Sequence, residues 1–494
     1  MTVAPESLML AALVTPLIGC LFVVLTGRNP NMREAVTLVT AGITFVLVAL
    51  LTPHILAGER PQVVFGEMLP GLAIMLKLEP LGMVFALIAS FLWIVTSIYA
   101  IGYMRGHHEK DQTRFYAFFA VAIFSAIGVA FAGNMLTLFI GYEVLSICTY
   151  PLVTHHRTPE AKRGGRVYLG ILLFTSIAFQ LPAVVWTWMS AGTLDFTAGG
   201  ILAGKMSDPM IAVLLGLYVY GIGKAALMPF HRWLPAAMVA PTPVSALLHA
   251  VAVVKAGVFS VLKVTIYVFG VDFLHRLGSS EWLMYIAGAT IIIASLVAMT
   301  KDNLKARLAY STVSQLSYIV LAAMLASSLG VVGGTMHIAM HAFGKITLFF
   351  CAGAILVASH KTEISQMNGI GRRMPLTMAA FAIGSLSMIG LPPTAGFVSK
   401  WYLLQATITG GEIFAAAVIM LSTLLNAGYF LPIVYAAFFK APDPAKDVPG
   451  HADHGEAPFA ILLALAITAG GTVALFFYPE LPLGLAQQLI GGVQ

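Results

Sequence analysis

The chain has 494 residues, of which 59% are hydrophobic and only 10% are charged, with a mean hydropathy of +0.90. Soluble domains carry nearer a quarter of charged residues, so this composition excludes an ordinary soluble protein and indicates an integral membrane protein. The formal net charge of +6 is no argument for nucleic-acid binding, because the basic residues follow the membrane topology described below.

The apolar segments predict an all-α polytopic membrane protein with about fourteen transmembrane helices. Each segment is near the ~20 residues needed to cross a bilayer. The first segment is followed by Gly27 and Arg28 with no A-x-A site, which argues against a cleaved signal peptide. The predicted spans are 5–27, 34–57, 80–104, 114–132, 134–154, 167–191, 209–230, 243–268, 282–300, 308–326, 331–358, 375–396, 412–438 and 457–478.

The loop charges predict the orientation. With the N-terminus outside, the inner loops hold 18 of the 27 basic residues and the outer loops hold 4. This asymmetry is what the positive-inside rule requires, and an odd number of spans would destroy it. Both termini are therefore expected on the outer, periplasmic side of a bacterial-type inner membrane.

Several ionisable residues remain in or at the edge of the spans. Such residues are costly in a bilayer unless paired or hydrated, and they commonly mark an ion or proton path. Lys263 is near the end of its span and is expected to snorkel to the interface. A hydrogen-bonding, protonated Glu143 and a satisfied interior His249 remain alternatives to a transport role. The set comprises Lys224, Lys255, Lys263, Lys345, Lys400, Glu143, His249, His337 and His341.

The series HIAMHAFGK places His337, His341 and Lys345 on one helix face, because residues four apart lie above one another. The histidine pair also has a zinc-like spacing, but no glutamate follows the first histidine and no third ligand is evident. Imidazole titrates near neutral pH, so the series favours a proton-conducting stripe. His451 and His454 offer a second, equally weak metal alternative in the linker 440–458, which is expected to be a flexible inner loop.

Helix-breaking residues accompany two of the lysines, in VYGIGKAALMPFHRWLP around Lys224 and GLPPTAGFVSK before Lys400. Interrupted backbone at membrane depth is tolerated only inside protein or beside water. Two interrupted spans five apart predict inverted repeats made of spans 4–8 and 9–13. The resulting parts are 1–110 (spans 1–3), 111–270 (first repeat), 271–440 (second repeat) and 441–494 (inner linker and span 14).

No cofactor is predicted. Cys20, Cys148 and Cys351 are scattered within the spans, without a C-x-x-C cluster or a disulfide framework. The sequence has no phosphate-binding glycine loop and no nucleophile elbow. We therefore expect an ion-translocating subunit without its own redox centre rather than an enzyme.

The chain resembles the antiporter-like family shared by complex I, membrane-bound hydrogenases and multisubunit Mrp-type cation/proton antiporters. The resemblance covers about residues 80 to 440 and is carried by LFIGYEVLSICTYPLV, KAALMPFHRWLPAAMVAPTPVSALLHAVAVVKAGVF, KDNLKARLAYSTVSQLSYI, HAFGKITLFFCAGA and GLPPTAGFVSKW. It implies fourteen core helices with two inverted five-helix repeats and broken helices 7 and 12.

The resemblance also implies roles for individual residues. Glu143 matches the glutamate of the fifth helix, Lys224 the lysine of the broken seventh, Lys255 the lysine of the eighth and Lys400 the lysine of the twelfth. The residues that match the histidines of the central hydrophilic axis are His249, His337 and His341.

Within the family, the chain is most similar to D-type Mrp subunits, because Lys400 replaces the glutamate usual in M-type subunits and the long lateral helix of L-type subunits is missing. Tyr142 departs from the tryptophan of many relatives. The expected function is proton translocation in a multisubunit Na⁺/H⁺ antiporter, with other membrane subunits as partners. The alternatives are a subunit of a redox-driven pump, the proton-conducting partner of a carbon-uptake complex, an inert scaffold and a redox enzyme.

The expected mechanism pairs Lys224 with Glu143, since a carboxylate stabilises a buried ammonium. When Glu143 turns toward a neighbouring subunit, Lys224 would release its proton. The proton would then pass His249, Lys255 and the histidine stripe and leave at Lys400.

Overall fold

The computed structural model describes residues 4–69, 71–442 and 455–491. Eleven of its helices are long and apolar enough to cross a membrane, which confirms the all-α polytopic class within these ranges. The helices are α1 Pro5–Leu25, α2 Pro30–Leu56, α3 Pro80–Gly106, α4 Gln112–Ala130, α5 Met135–Val153, α6 Pro159–Ala191, α7 Asp208–Gly221, α8 Thr242–Phe269, α9 Glu281–Met299, α10 Leu304–Met324, α11 Ser328–Ser359, α12 Pro375–Ile389, α13 Ala395–Thr409, α14 Ile413–Phe439, α15 Phe459–Phe477 and α16 Glu480–Gly491.

Side-chain caps fix where several helices begin. The Asn134 side chain accepts from Thr137 N at 2.9 Å at the start of α5, and the Asn303 side chain accepts from Ala306 N at 3.0 Å at the start of α10. Such a cap satisfies one of the backbone donors that have no partner within the helix. Burial differs strongly between helices: α8 and α11 lie almost wholly inside the bundle, whereas α1 and α2 lie at its periphery. These two most buried helices carry most of the candidate proton-path residues: His249 and Lys255 lie on α8, and His337, His341 and Lys345 lie on α11.

Two helices are broken where the sequence predicts. α7 ends at Gly221 and is followed by a single 3₁₀ turn, Gly223–Ala225, after which Ala226 has a positive φ of 56°. α12 ends at Ile389, Gly390 has a φ of 90°, and α13 begins at Ala395.

The predicted limit of span 375–396 is wrong. The span was predicted to continue through Pro392 and Pro393 to residue 396, but α12 ends at Ile389 and the separate helix α13 runs from Ala395 to Thr409. Lys400 therefore lies inside α13 rather than at the edge of a span.

Two elements are not predicted by counting apolar spans. An antiparallel hairpin of β1 (Gln62–Leu69) and β2 (Leu72–Lys77) follows α2, and the short helix α16 follows α15. Neither is a long apolar run, so a hydropathy criterion cannot find them.

The loops after α1, α3 and α5 meet at one end of the bundle. Arg105 donates to Asn31 at 2.6 Å, and Arg114 donates to the carbonyl of His155 at 2.7 Å. We call this end the basic face, because Arg33, Arg105, Arg114 and Arg157 lie there. The hairpin lies at the opposite end, where Asn134 donates to the carbonyl of Ala73.

Candidate functional site

Lys224 lies at the break after α7 and is fully buried. Its ammonium donates to the carbonyl of Tyr142 at 2.8 Å and to the hydroxyl of Ser146, both on α5. The ammonium also lies 3.0 Å from the centre of the Tyr142 ring, and the Lys224 backbone N–H donates to the Tyr142 hydroxyl at 3.0 Å. The charge is thus stabilised by a carbonyl, a hydroxyl and an aromatic face.

The expected direct pair of Glu143 and Lys224 is not formed. Glu143 is half-buried, and none of the ion pairs among the described residues includes it. Its Oε1 atom is buried and has no hydrogen-bond partner within the described ranges. The two residues are nevertheless close in the fold, because Glu143 follows Tyr142, which contacts Lys224 directly.

A glycine on α8 permits the close approach of the α7 break. A Cβ at Gly257 would collide with the backbone of Lys224 and Ala225, so no larger residue fits there without displacement. Two residues earlier, Lys255 points toward α11, and its ammonium is hydrogen-bonded to His341 Nδ1 at 2.7 Å. No hydrogen bond between described residues joins Lys224 to Lys255 or His249, so transfer between these groups requires water or movement.

The histidines of α11 lie on one face of the helix, as the spacing predicts, with their rings tilted relative to each other. The His337 and His341 rings are 5.8 Å apart. His337 is hydrogen-bonded to Ser399 of α13 at 2.8 Å and to Gln315 of α10 at 3.1 Å. One imidazole therefore links three helices.

A second set of hydrogen bonds connects Lys345 to the end of α12. Its ammonium donates to the hydroxyl of Ser311 at 2.8 Å, and the Tyr429 hydroxyl is bonded both to Ser311, at 3.1 Å, and to Asn426. Asn426 in turn donates to the carbonyl of Met388 at 3.2 Å. Lys345 is thus joined to the end of α12 through polar side chains of α10 and α14.

Lys400 binds the carboxyl end of α12. Its ammonium donates to the carbonyls of Met388, at 2.7 Å, and Ile389, at 3.1 Å. These carbonyls lack helical partners because α12 stops there, and a cation at a helix C-terminus is favoured by the helix dipole. Gln315 also donates to Met388 O at 3.3 Å, so both sets of hydrogen bonds and Lys400 converge on this carbonyl.

His249 lies in a π-helical turn of α8 and is fully buried. Its ring lies 4.7 Å from that of Phe349, and neither of its nitrogens has a partner within the described ranges. Buried polar atoms nearly always have a hydrogen-bond partner, and water supplies one when protein does not. Among the described residues, no protein group therefore satisfies the His249 ring.

The expectation for Lys263 is wrong. It is fully buried and forms an ion pair of 2.7 Å with Glu79, whose other oxygen lies 3.4 Å from the ammonium of Lys77. Glu79 precedes the start of α3 and lies outside every apolar run, so a search for mid-span acids could not find it.

Sequence reasoning also missed the neutral residues of the site. Serine, asparagine and tyrosine are common in apolar helices, and no spacing rule separates those that face a lysine from those that do not. The residues concerned are Tyr142, Ser146, Ser311, Gln315, Ser399, Asn426 and Tyr429.

Within the described ranges, no group of three His, Cys, Asp or Glu side chains has the geometry of a metal site. His337 and His341 instead bind serine, glutamine and lysine. His451 and His454 lie outside the described residues.

A family model described as "NADH:quinone oxidoreductase/Mrp antiporter, TM" matches residues 132–426. NADH-quinone oxidoreductase subunit N of Desulforudis audaxviator is 32% identical over 427 residues, which are 83% of each chain. NADH-quinone oxidoreductase subunit L of Rickettsia bellii is 32% identical over 373 residues, which are 73% of this chain and 56% of the relative. The chain thus spans little more than half the length of the subunit L relatives it matches.

Two solved structures have the same fold. A chain of the membrane-bound sulfane sulfur reductase, an archaeal respiratory membrane complex, matches with a TM-score of 0.86 and 23% identity over 98% of this chain and 97% of its own. A chain of the Mrp complex from Dietzia sp. matches with a TM-score of 0.86 and 21% identity over 99% of this chain and 97% of its own.

Proposed function

Because the chain belongs to the membrane family of NADH:quinone oxidoreductases and Mrp antiporters, we propose that it is the proton-translocating subunit of a multisubunit monovalent cation/proton antiporter. It is an antiporter-like, polytopic membrane subunit by family. The finer proposal is that it is a D-type Mrp subunit that exchanges Na⁺ for protons together with other membrane subunits, and that it has no redox centre of its own.

One observation carries the proposal: the buried ionisable groups of α8, α11 and α13 are joined by short contacts. Lys255 is hydrogen-bonded to His341, whose ring centre lies 5.8 Å from that of His337 in a tilted arrangement. His337 contacts Gln315, which shares the Met388 carbonyl with Lys400. A scaffold would gain nothing from burying these groups, since each charge is costly in a bilayer.

The proposed cycle begins at the α7 break. With Glu143 ionised and turned toward α7, Lys224 keeps its proton. When a neighbouring subunit draws Glu143 away, burial destabilises the ammonium and the proton moves to the His249 region. It then passes Lys255, His341 and His337 to Lys400, and water carries it across the gaps longer than a hydrogen bond. Lys345 is joined to the same end of α12 through Ser311, Tyr429 and Asn426.

The orientation follows from the loop charges. We place the basic face on the inner side, because the predicted inner loops, which include those at this end, hold 18 of the 27 basic residues. Lys400 then delivers the proton to the outer side through the break between α12 and α13, where interrupted backbone admits water.

The test uses the whole complex in vesicles with a pH-sensitive dye inside and an imposed Na⁺ gradient. The wild type should move protons without any electron donor. Lys224→Ala, Lys255→Ala and Lys400→Ala should each stop this flux, whereas Lys162→Ala, a change at an exposed lysine of α6, should not. Wild-type flux in all three axis variants would overturn the proposal.

A second candidate is a subunit of a redox-driven proton pump. It is favoured by the similarity to respiratory subunits N and L and by the fold shared with a respiratory reductase chain. The same vesicles separate the two: proton flux that requires an electron donor and acceptor, and ignores the Na⁺ gradient, would establish the redox-driven alternative.

A further inference from the structure

A cluster of histidines surrounds one carboxylate on the basic face. His107 Nδ1 and His156 Nε2 each lie 3.1 Å from Glu109 Oε1, and His155 Nε2 lies 3.8 Å from Oε2. The Glu109 side chain is only 6% exposed, yet it borders a surface cavity of about 430 Å³ between the α3–α4 and α5–α6 loops. We call Glu109, His107, His155 and His156 the Glu109 cluster.

The pKa values of the ionisable groups in the cluster are shifted in different directions. Burial alone would raise the pKa of the Glu109 carboxyl, but hydrogen bonds from His107 and His156 outweigh it and lower this pKa to about 2. The hydrogen bond to Glu109 raises the pKa of His156, whereas burial lowers that of His155. Glu109 therefore stays ionised, and His156, a third exposed, keeps its proton to a higher pH than an ordinary imidazole.

Other charged or titratable side chains face the cluster from every neighbouring element. Those in the loops are His108, Lys110, Asp111 and Arg157. Those on the helices are Arg33 of α2, Arg105 of α3, Arg114 of α4 and Lys305 of α10. The basic groups outnumber the acids, so Glu109 is needed to keep a proton on His156.

A line of aromatic side chains leads inward from the cluster along α3. The His107 ring lies 5.7 Å from that of Tyr103, one turn earlier, and the Tyr103 ring lies 6.0 Å from that of Tyr99. The Tyr99 hydroxyl and Thr242, the first residue of α8, both border Gly353 of α11, where an added Cβ would collide with each of them.

Thr242 and His249 lie on the same helix, α8, two turns apart, so Thr242 lies between the tyrosines and the His249 region. Both His249 nitrogens are buried and have no partner within the described ranges, and the buried Thr242 side chain interacts with that of Tyr103. Buried polar atoms without a protein partner are where bridging water is expected.

We propose that the Glu109 cluster is the proton-collecting entrance of this chain and that it feeds His249 along the side of α3 that carries Tyr103 and Tyr99. A proton from water binds His156, and an equivalent proton passes inward over the tyrosine hydroxyls and intervening water. The inference rests on the proposed function, because it needs a proton flux through the axis. It differs from a purely structural role, in which the cluster only ties two loops together.

The experiment varies the pH on the side of the basic face and records Na⁺-driven proton flux in vesicles. Glu109→Gln should lower the proton affinity of His156. The pH above which the proton flux falls should therefore be about one unit lower than in the wild type, while the flux at acid pH stays unchanged. His156→Asn should lower the flux above neutral pH. His108→Asn is the matched control, since His108 lines the same cavity, has a positive φ that asparagine tolerates, and should leave the profile unchanged.

The route inward has its own variant. Tyr103→Phe removes only a hydroxyl and should lower the flux several-fold at every pH. Tyr116→Phe removes a hydroxyl from another buried tyrosine, on α4, that has no partner within the described ranges, and should not lower it. If Glu109→Gln fails to assemble, His156→Asn and Tyr103→Phe decide the question.

The two proposals fail differently. If Lys224→Ala blocks the flux but Glu109→Gln, His156→Asn and Tyr103→Phe all keep wild-type profiles, the entrance is refuted and the proposed function stands. If the wild-type complex shows no flux that Lys224→Ala removes, the proposed function fails and the entrance fails with it. A flux that falls at lower pH in Glu109→Gln, together with a slow Tyr103→Phe variant, supports the entrance.

Discussion

Tyr142 and Lys224 are bound to each other at three points: ammonium to carbonyl, ammonium to ring and backbone N–H to hydroxyl. The α7 break is thereby attached to α5 at the residue that precedes Glu143. Glu143 itself is half-buried and has an unpartnered oxygen within the described ranges. If a neighbouring subunit displaces Glu143, the movement of this one turn of α5 would therefore alter the contacts of Lys224 directly.

Tyr142→Phe should weaken this attachment without destroying it. The ring and the carbonyl remain, but the buried N–H of Lys224 loses its acceptor, which costs ~1–3 kcal/mol. We expect a several-fold lower Na⁺-driven proton flux in vesicles. Tyr218→Phe is the matched control, because it also removes a buried hydroxyl bond, from α7 to Thr187, and should leave the flux near wild type. Equal losses in both variants would argue against a special role for the Tyr142 hydroxyl.

Glu143→Gln should abolish transport but leave assembly intact. The buried Oε1 atom of Glu143 has no hydrogen-bond partner to lose within the described ranges, whereas the carboxylate charge is what the proposed cycle uses. Lys224→Ala should also abolish transport, but with lower stability, because Tyr142 and Ser146 lose the group they bind. Lys162→Gln serves as the exposed control. Wild-type flux in Glu143→Gln, with assembly verified on a native gel, would remove Glu143 from the cycle.

The ion pair of Lys263 and Glu79 should matter for stability rather than for transport. Removing one partner of a buried pair leaves an uncompensated charge and typically costs ~3–5 kcal/mol. Lys263→Met alone should therefore lower the thermal unfolding temperature in detergent strongly. The double variant Lys263→Met with Glu79→Gln should recover most of the loss and retain flux. A double variant that is stable but inactive would instead show that this pair takes part in proton movement.

The sequence predicted those residues of the site whose burial in a membrane is energetically costly. A lysine or histidine inside an apolar run is costly, so Lys224, Lys255, Lys345 and Lys400 could be found without a structure, as could the two helix breaks beside them. Their hydrogen-bond partners could not, because a serine such as Ser311 or a backbone carbonyl such as that of Met388 leaves no trace in composition or spacing.

The remaining contacts could not be predicted, because they join residues that are far apart in the sequence. Lys263 was expected to snorkel, because it lies near the end of its span. Its partner Glu79 is 184 positions away and lies just before a helix. The Glu109 cluster likewise joins two loops that are 47 positions apart between Glu109 and His156. Only the fold brings such groups together.

Expressed alone, the chain should not restore salt tolerance to an antiporter-deficient strain. Its buried lysines outnumber its buried acids: Lys224, Lys255, Lys345 and Lys400 have no carboxylate within ion-pair distance among the described residues, and Glu143 has an unpartnered oxygen. Compensation from an adjacent subunit is therefore expected. Growth at high Na⁺ should recover only when the neighbouring subunits are expressed with it. Full rescue by this chain alone would contradict the multisubunit proposal.

Lys400 should need to lose its proton, and an arginine at this position tests that. Both side chains can donate to the carbonyls of Met388 and Ile389, and a cavity of about 340 Å³ beside Lys400 has room for a guanidinium. Arginine keeps its charge at any accessible pH, whereas a buried lysine releases its proton readily. Lys400→Arg should therefore assemble normally on a native gel and yet conduct as few protons as Lys400→Gln. If Lys400 only balances the dipole of α12, Lys400→Arg should be active and only Lys400→Gln should fail. A fully active Lys400→Arg variant would remove Lys400 from the proton path.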